Sequence, residues 1–371
     1  MKRFFILLFF IPVLSFAETM YSPTWGFFID LPEGYELADG DARDRFSFRG
    51  PSGAVFDIAV YIRYPGIREM VADVNKRIGN KGDVDFFQYN NRQAAIMKLT
   101  FEKNDGLAFA VELDKNNGQQ PILIALAYGP SNERALEMFH ISALDSICPS
   151  QAERRYPGPL IEYSFPRGGQ KRVTIAQGNI NVTIRENDAE ASQVFIEREF
   201  QLLQNYVNSQ KWQDAWIRYY RSVYRDSYDR IANAASVIVR SWGGPPSSGD
   251  AERRAFAYRA LKLVQGYKYE RTQKGSDFLN LVTAVTEGRG DCDSRAMLCA
   301  ILLSKADIRA AMMISRQYSH AMGLVDVNGI GARFESYGTN WLVAETTADV
   351  DIGLIAQDVS DPNHWLGVVF D

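Results

Sequence analysis

Two compact turn signals, Asn104-Asp105-Gly106 and Asn116-Asn117-Gly118, separate three runs of strand-forming residues at 92–102, 107–115 and 121–128. Asn-Gly and Asp-Gly steps adopt the positive φ that tight hairpins demand, so runs spaced this way pair with their neighbours as antiparallel strands. The same rhythm extends from Tyr21 to about Cys148: 26–31 leads into Pro32-Glu33-Gly34, while 45–49 and 54–63 flank Gly50-Pro51-Ser52-Gly53. Only 67–78 and 132–146 break it, with apolar residues at helical spacing. The first part of the chain therefore reads as an α+β layer unit, an antiparallel sheet with two flanking helices.

A chain of 371 residues, 46% of them hydrophobic, is long enough for two such units. Composition shifts at 149–169, where Pro157-Gly158-Pro159 and Pro166-Arg167-Gly168-Gly169 read as a linker or wrapping connection. The expected division is 18–148, the linker 149–169, and a second unit at 170–371. Within the second unit, 172–176 and 179–185 look like strands, followed by helical stretches at 188–206, 212–242 and 251–264. Trp212, Trp216, Tyr220, Tyr224 and Tyr228 recur every fourth residue. Such a row drifts by about 40° per step, which suits core packing better than one flat stacking platform.

The first residues are read as an export signal. Lys2 and Arg3 precede an apolar run from Phe4 to Phe16, and Ser15-Phe16-Ala17 supplies small residues at a cleavage site after Ala17. That run is short of the roughly 20 residues a spanning helix needs, and no later run approaches that length. A chain without transmembrane segments, in the periplasm or secreted, is the expectation. The formal charge of −4 has both signs interspersed along the chain, which argues against nucleic acid as a partner. Three scattered histidines offer no metal-ligand spacing, and no cofactor motif occurs. Of the three cysteines, Cys292 and Cys299 share one helix about 10.5 Å apart along its axis, too far to pair. Cys299 and His140 sit among apolar neighbours and read as core, and His364 lies in the C-terminal tail.

Around Cys292 the order Gly288-Arg289-Gly290-Asp291-Cys292-Asp293 hands a glycine-rich loop to an apolar helix. A thiol in the first turn of a helix meets unsatisfied N–H groups and the positive end of the dipole, which favour thiolate and can hold an oxyanion. Asp291 and Asp293 oppose this, so activation requires a cation. His320 opens a strand 28 positions on, with Asp326-Val327-Asn328-Gly329 as a hairpin turn after it, and Trp341–Thr347 carries Glu345 on the face of Trp341 and Val343. Thiol, imidazole and an orienting carboxylate are the parts that nucleophilic acyl transfer uses.

Residues 255–350, through Gly290-Asp291-Cys292-Asp293, a helix running to Ile308, His320-Ala321 and Glu345-Thr346-Thr347, resemble the transglutaminase-like superfamily with its papain-related core. The resemblance implies Cys292 as nucleophile, His320 as general base and acid, and Glu345 as orienter. The family usually has Asp at the position of Glu345, commonly Trp at Met322, and commonly Gly at Asp307. More loosely, Phe27-Phe28-Ile29-Asp30-Leu31-Pro32-Glu33-Gly34-Tyr35 leading into a sheet is similar to the PsbP/Mog1 type of domain, with no catalytic residues implied. The expected activity is that of an exported peptidase or amidase working through a thioester on peptide or protein substrates, including those of the cell envelope. The alternatives are an inert scaffold that binds a partner and a protein-crosslinking transglutaminase; in either case the N-terminal unit is available to a protein partner.

Overall fold

A computed structural model describes residues 19–41, 43–116, 118–175, 179–271 and 275–370. The expected export signal, 1–17, lies outside them. The fold is α+β. Its larger sheet has seven strands in the order Glu36–Gly40, Arg45–Arg49, Val55–Tyr61, Ile122–Pro130, Asn104–Glu112, Arg92–Phe101 and Val84–Tyr89, all antiparallel. Strand alternation divides its side chains between two cores. Phe56, Ile58, Phe109, Val111 and Leu123 face helix α2 (Leu136–Asp145), and Met97, Ala108, Ala110, Ile122 and Ile124 face α1 (Ile67–Ile78). Ile67, Met70, Val71 and Val74 at i, i+3, i+4 and i+7 form the stripe by which α1 seats.

One turn assignment needs correction. The hairpin after Arg92–Phe101 turns at Glu102-Lys103, since Phe101 pairs with Asn104, and Asn104-Asp105-Gly106 is already strand. Gly106 serves close approach instead of turning: a Cβ there would stand 2.1 Å from the Ala127 carbonyl oxygen on the neighbouring strand. At the second signal Asn116 and Gln119 exchange backbone hydrogen bonds at 3.0 and 2.9 Å, and Asn117 lies outside the described residues.

The stretch expected as a linker is folded. Ser150 caps a short 3₁₀ turn, and α3 (Pro159–Ser164) donates its Leu160 and Ile161 N–H groups to Asp145 Oδ1 at 2.6 and 3.1 Å. Helices α4 (Asp188–Gln204), α5 (Trp212–Arg230), α6 (Ala232–Ser241) and α7 (Asp250–Gln265) follow. The single helix expected over 212–242 is broken at Ile231 (φ −98°, ψ 7°), so it is two. From the aromatic row, Tyr220, Tyr224 and Tyr228 are core, whereas Trp212 and Trp216 remain half-buried.

A five-stranded antiparallel sheet completes the fold, in the order Arg333–Ser336, Thr339–Ala344, His320–Val325, Ala310–Ser315 and Leu366–Val369. Against it lies α9 (Cys292–Ser304), buried from Cys292 through Leu303. This helix ends at Ser304, short of Ile308. Asp307 takes a left-handed φ of 56°, and the Ile308 N–H closes on Leu303 O at 3.0 Å. Nor is 326–329 a hairpin turn: the His320 strand pairs with Thr339–Ala344, and the hairpin turns at Tyr337-Gly338. Leu342 and Ala344 share the core of α9, while Trp341, Val343, Met322 and Trp365 pack on the opposite face. Among the described residues no helix is long and apolar enough to cross a membrane.

Candidate active site

Helix α8 (Leu281–Glu287) stops at Gly288, and a two-residue strand, Arg289–Gly290, delivers the chain to Asp291. A Cβ on Gly290 would meet Ser294 Oγ at 2.4 Å, so glycine lets the entering chain lie against the helix. Asp291 is the N-cap of α9. Its Oδ1 accepts from the Ser294 N–H at 2.7 Å and the Ser294 hydroxyl at 2.8 Å, and its Oδ2 accepts from the Leu279 N–H at 3.1 Å. Cys292 therefore occupies the first position of the helix, 2% exposed.

Arg295, one turn on, fastens this entry to its surroundings. Its guanidinium donates to the carbonyls of Gly290 at 3.1 Å, Tyr267 at 2.6 Å and Thr346 at 3.3 Å. The last of these adjoins Glu345, so one buried side chain ties the approach to Cys292 to the end of the carboxylate-bearing strand.

His320 begins its strand directly after Ser319, whose left-handed φ of 47° turns the chain. Its Nε2 stands 2.8 Å from Glu345 Oε2, and Glu345 Oε1 accepts from the Thr347 N–H at 2.7 Å and hydroxyl at 2.6 Å. Glutamate, one methylene longer than the residue usual in the resembled family, thus reaches the imidazole. The next residue, Ala321, turns its backbone N–H to the Cys292 sulfur. Cys292 and His320 line one cavity of about 170 Å³ with Trp216, Tyr220, Arg271 and Asp293. All three expected residues converge on one region: the His–Glu pair by direct hydrogen bond, the thiol and imidazole through the shared cavity.

The electrostatics differ from what helix position alone suggests. Burial pushes the Cys292 thiol well up and Asp293 and Asp291 push it further, while the Ala321 N–H pulls the other way. The helix terminus does not prevail, because Cys292 leaves water in the company of two carboxylates. Asp293 is itself raised to about 6, chiefly by burial, although Tyr220 donates to its Oδ1 at 2.7 Å and His320 attracts its charge. Its Oδ2 lies 3.9 Å from the Cys292 sulfur. Burial also works to raise Glu345, but the bonds from His320 and Thr347 outweigh it and hold the carboxyl below its ordinary range.

Tyr220 and Arg295 escape sequence reasoning as site residues. Tyr220 carries a faint signal, membership of the aromatic row; Arg295 carries one in being a charge inside an otherwise apolar helix. Cys148, Cys292 and Cys299 are all unpaired and buried. His140 is 4% exposed within the first unit. His364 does not line the Cys292 cavity; it hydrogen-bonds Tyr318 through Nδ1 at 2.8 Å beside a neighbouring groove.

No family model and no curated protein matches the sequence. Among solved structures, the chain is similar to cyanobacterial PsbP from Synechocystis sp. PCC 6803, with 10% identity over 37% of this chain and 95% of that one, TM-score 0.28. It is also similar to calcium-bound LapG of Legionella pneumophila, with 12% identity over 46% of this chain and 81% of that one, TM-score 0.22. A third likeness, to a putative cysteine protease from Cytophaga hutchinsonii, has 11% identity over 86% of this chain and 72% of that one, TM-score 0.19. At TM-scores this low, none of these likenesses bears on what the chain does.

Proposed function

We propose that the chain is a cysteine hydrolase of peptide or protein amides, with Cys292 as nucleophile, His320 as base and acid, and Glu345 as the residue that orients the imidazole. The observation that carries this reading is the hydrogen bond of 2.8 Å from Glu345 to His320, which lines the same cavity as Cys292. A carboxylate on Nε2 holds the ring with its proton on that nitrogen, leaving Nδ1 as the acceptor. Because burial and the neighbouring carboxylates raise it, Cys292 enters the reaction as a thiol. Nδ1 takes the proton as sulfur adds to the carbonyl carbon, with charge developing on the carbonyl oxygen near the first-turn N–H groups of α9. Collapse expels the amine, which takes the proton from the imidazolium, and a thioester remains. Water, deprotonated by His320, then releases the acid and restores the thiol.

Hydrolysis is favoured over crosslinking because water needs no dedicated acceptor site. Export, read from residues 1–17, makes envelope proteins or peptides the proposed substrates. The burial of Cys292 supports a second reading, an inert scaffold that binds a partner. Incubation with a peptide library, followed by mass spectrometry, separates the two. Cleavage is expected from the native chain and is expected to vanish in Cys292→Ala and His320→Ala. Cleavage that persists in Cys292→Ala overturns the hydrolase reading, and no turnover by a folded native chain favours the scaffold.

A further inference from the structure

We propose that the groove adjoining the Cys292 cavity is a substrate subsite that takes a large apolar or aromatic side chain of a peptide, with a neighbouring carboxylate of the same peptide held by Arg316. This deepens the hydrolase reading and rests on it.

The groove, about 450 Å³, has Trp212, Trp216, Trp365 and Leu366 in its apolar lining, with Arg316 and His364 among its polar residues. Trp216 and Arg316 also line the cavity of Cys292 and His320, so the two spaces adjoin across these side chains.

Geometry indicates the occupant. The rings of Trp212 and Trp216 lie 5.8 Å apart and are inclined at 54°. That makes an angled cleft suited to an inserted side chain, whereas a sugar lies on a flat face. Both rings remain half-buried although apolar, one turn apart at the start of α5, while the later aromatics of the same row are fully packed. Arg316 is exposed; it reaches over the Trp212 ring at 5.9 Å and donates to Val207 O at 3.1 Å. Among the described residues it makes no ion pair with a carboxylate, so its charge is available to an acidic ligand. On the far rim, Asp361 lies 3.9 Å from His364 Nδ1 and accepts from the Asn363 side chain at 2.9 Å, so the acid of this edge is engaged locally. At the catalytic end, Asp277 is engaged by Arg271, and Asp293 by Tyr220.

The test uses the full chain with Cys292→Ala, so that binding is read without turnover. The probes are fluorescein-labelled Gly-Gly-Glu-Phe-Gly-Gly, versions with Gln for Glu or Ala for Phe, and chitotetraose as a competitor. Polarisation is expected to show the Glu-Phe peptide bound, about tenfold more weakly after Trp212→Ala, and with its Glu-over-Gln preference reduced to about one after Arg316→Gln. Trp212→Phe is expected to retain most of the affinity, which separates ring loss from misfolding, and Arg316 is exposed enough to change without harm to the fold. Equal binding of all three peptides, or displacement of the Glu-Phe peptide by chitotetraose, overturns the subsite. Library cleavage that depends on Cys292 yet is indifferent to Trp212→Ala and Arg316→Gln leaves the hydrolase standing and removes the groove. Groove-dependent binding with no cleavage does the reverse.

Discussion

Asp293 opposes thiolate at Cys292, the proposed nucleophile, against the pull of the helix that carries it. Its charge beside a buried sulfur opposes thiolate, so Asp293→Asn is expected to alkylate at Cys292 about tenfold faster with iodoacetamide at pH 7.5, followed by mass spectrometry. The gain shrinks below pH 6, where native Asp293, raised to about 6, is itself neutral. An unchanged rate at pH 7.5 means that burial alone governs the thiol. Glu345 acts through the imidazole. Glu345→Gln presents the wrong hydrogen-bond partner to Nε2 and is expected to lower kcat/KM on the order of 10³-fold, whereas Thr347→Val, which removes one bond of 2.6 Å to the carboxylate, costs about tenfold. A Glu345→Gln enzyme with native kcat/KM removes that residue from the proposed triad.

The elements around the site are positioned by buried polar groups more than by the sheet alone. Arg295 joins α9 to the 267–269 segment and to the end of the Thr339–Ala344 strand through three carbonyls, of which that of Gly290 also accepts from the Glu270 N–H at 3.2 Å. Arg295→Met is expected to cost about 3 kcal/mol in urea unfolding, since it strands the Tyr267 and Thr346 carbonyls. Arg295→Lys keeps the charge but not the planar spread of donors, and is expected to recover less than half of that loss. Full recovery by Lys reduces Arg295 to a buried charge with no geometric part. Helix boundaries show what local patterning can and cannot reveal. The apolar spacing of 67–78 specifies α1 residue for residue, because one stripe seats on one sheet face. The break at Ile231 leaves no mark in the pattern, because apolar spacing continues through it and only packing of α6 against neighbouring elements bends the chain.

Across the whole molecule, the two sheet-bearing parts are joined by a buried ionic seam. Arg225 of α5 donates to the carbonyls of Asp145 at 2.6 Å, Ile147 at 2.8 Å and Tyr156 at 2.9 Å, and Arg218 reaches Glu199 at 3.1 Å. Glu33, from the turn before the large sheet, faces Arg218 at 3.5 Å and is raised to about 7, mainly by burial. A carboxyl raised in the folded state favours folding fully below its unfolded value near 4.5 and loses that contribution as pH rises through 7. Glu33→Gln is therefore expected to raise Tm at pH 8 relative to the native chain, with the difference closing toward pH 4.5. A difference that is constant across this range excludes Glu33 as the titrating group. The turn Pro32-Glu33-Gly34 is plain in the sequence, but its burial against α5 is not, since the partners lie nearly two hundred residues away.

Local chemistry in the sequence determined five of the seven strand runs of the larger sheet, leaving out 36–40 and 84–89, the stripe of α1, the cysteine at a helix start and the three residue types of the proposed site, because period, capping and turn preferences act over a few neighbours. Tertiary structure alone decided that Glu345 reaches His320, that Asp293 and burial hold the thiol protonated, that Arg295 stitches the site together and that Trp212 stays half open. Distance, burial and hydrogen-bond partners across the chain are products of packing, and no short window of residues encodes them.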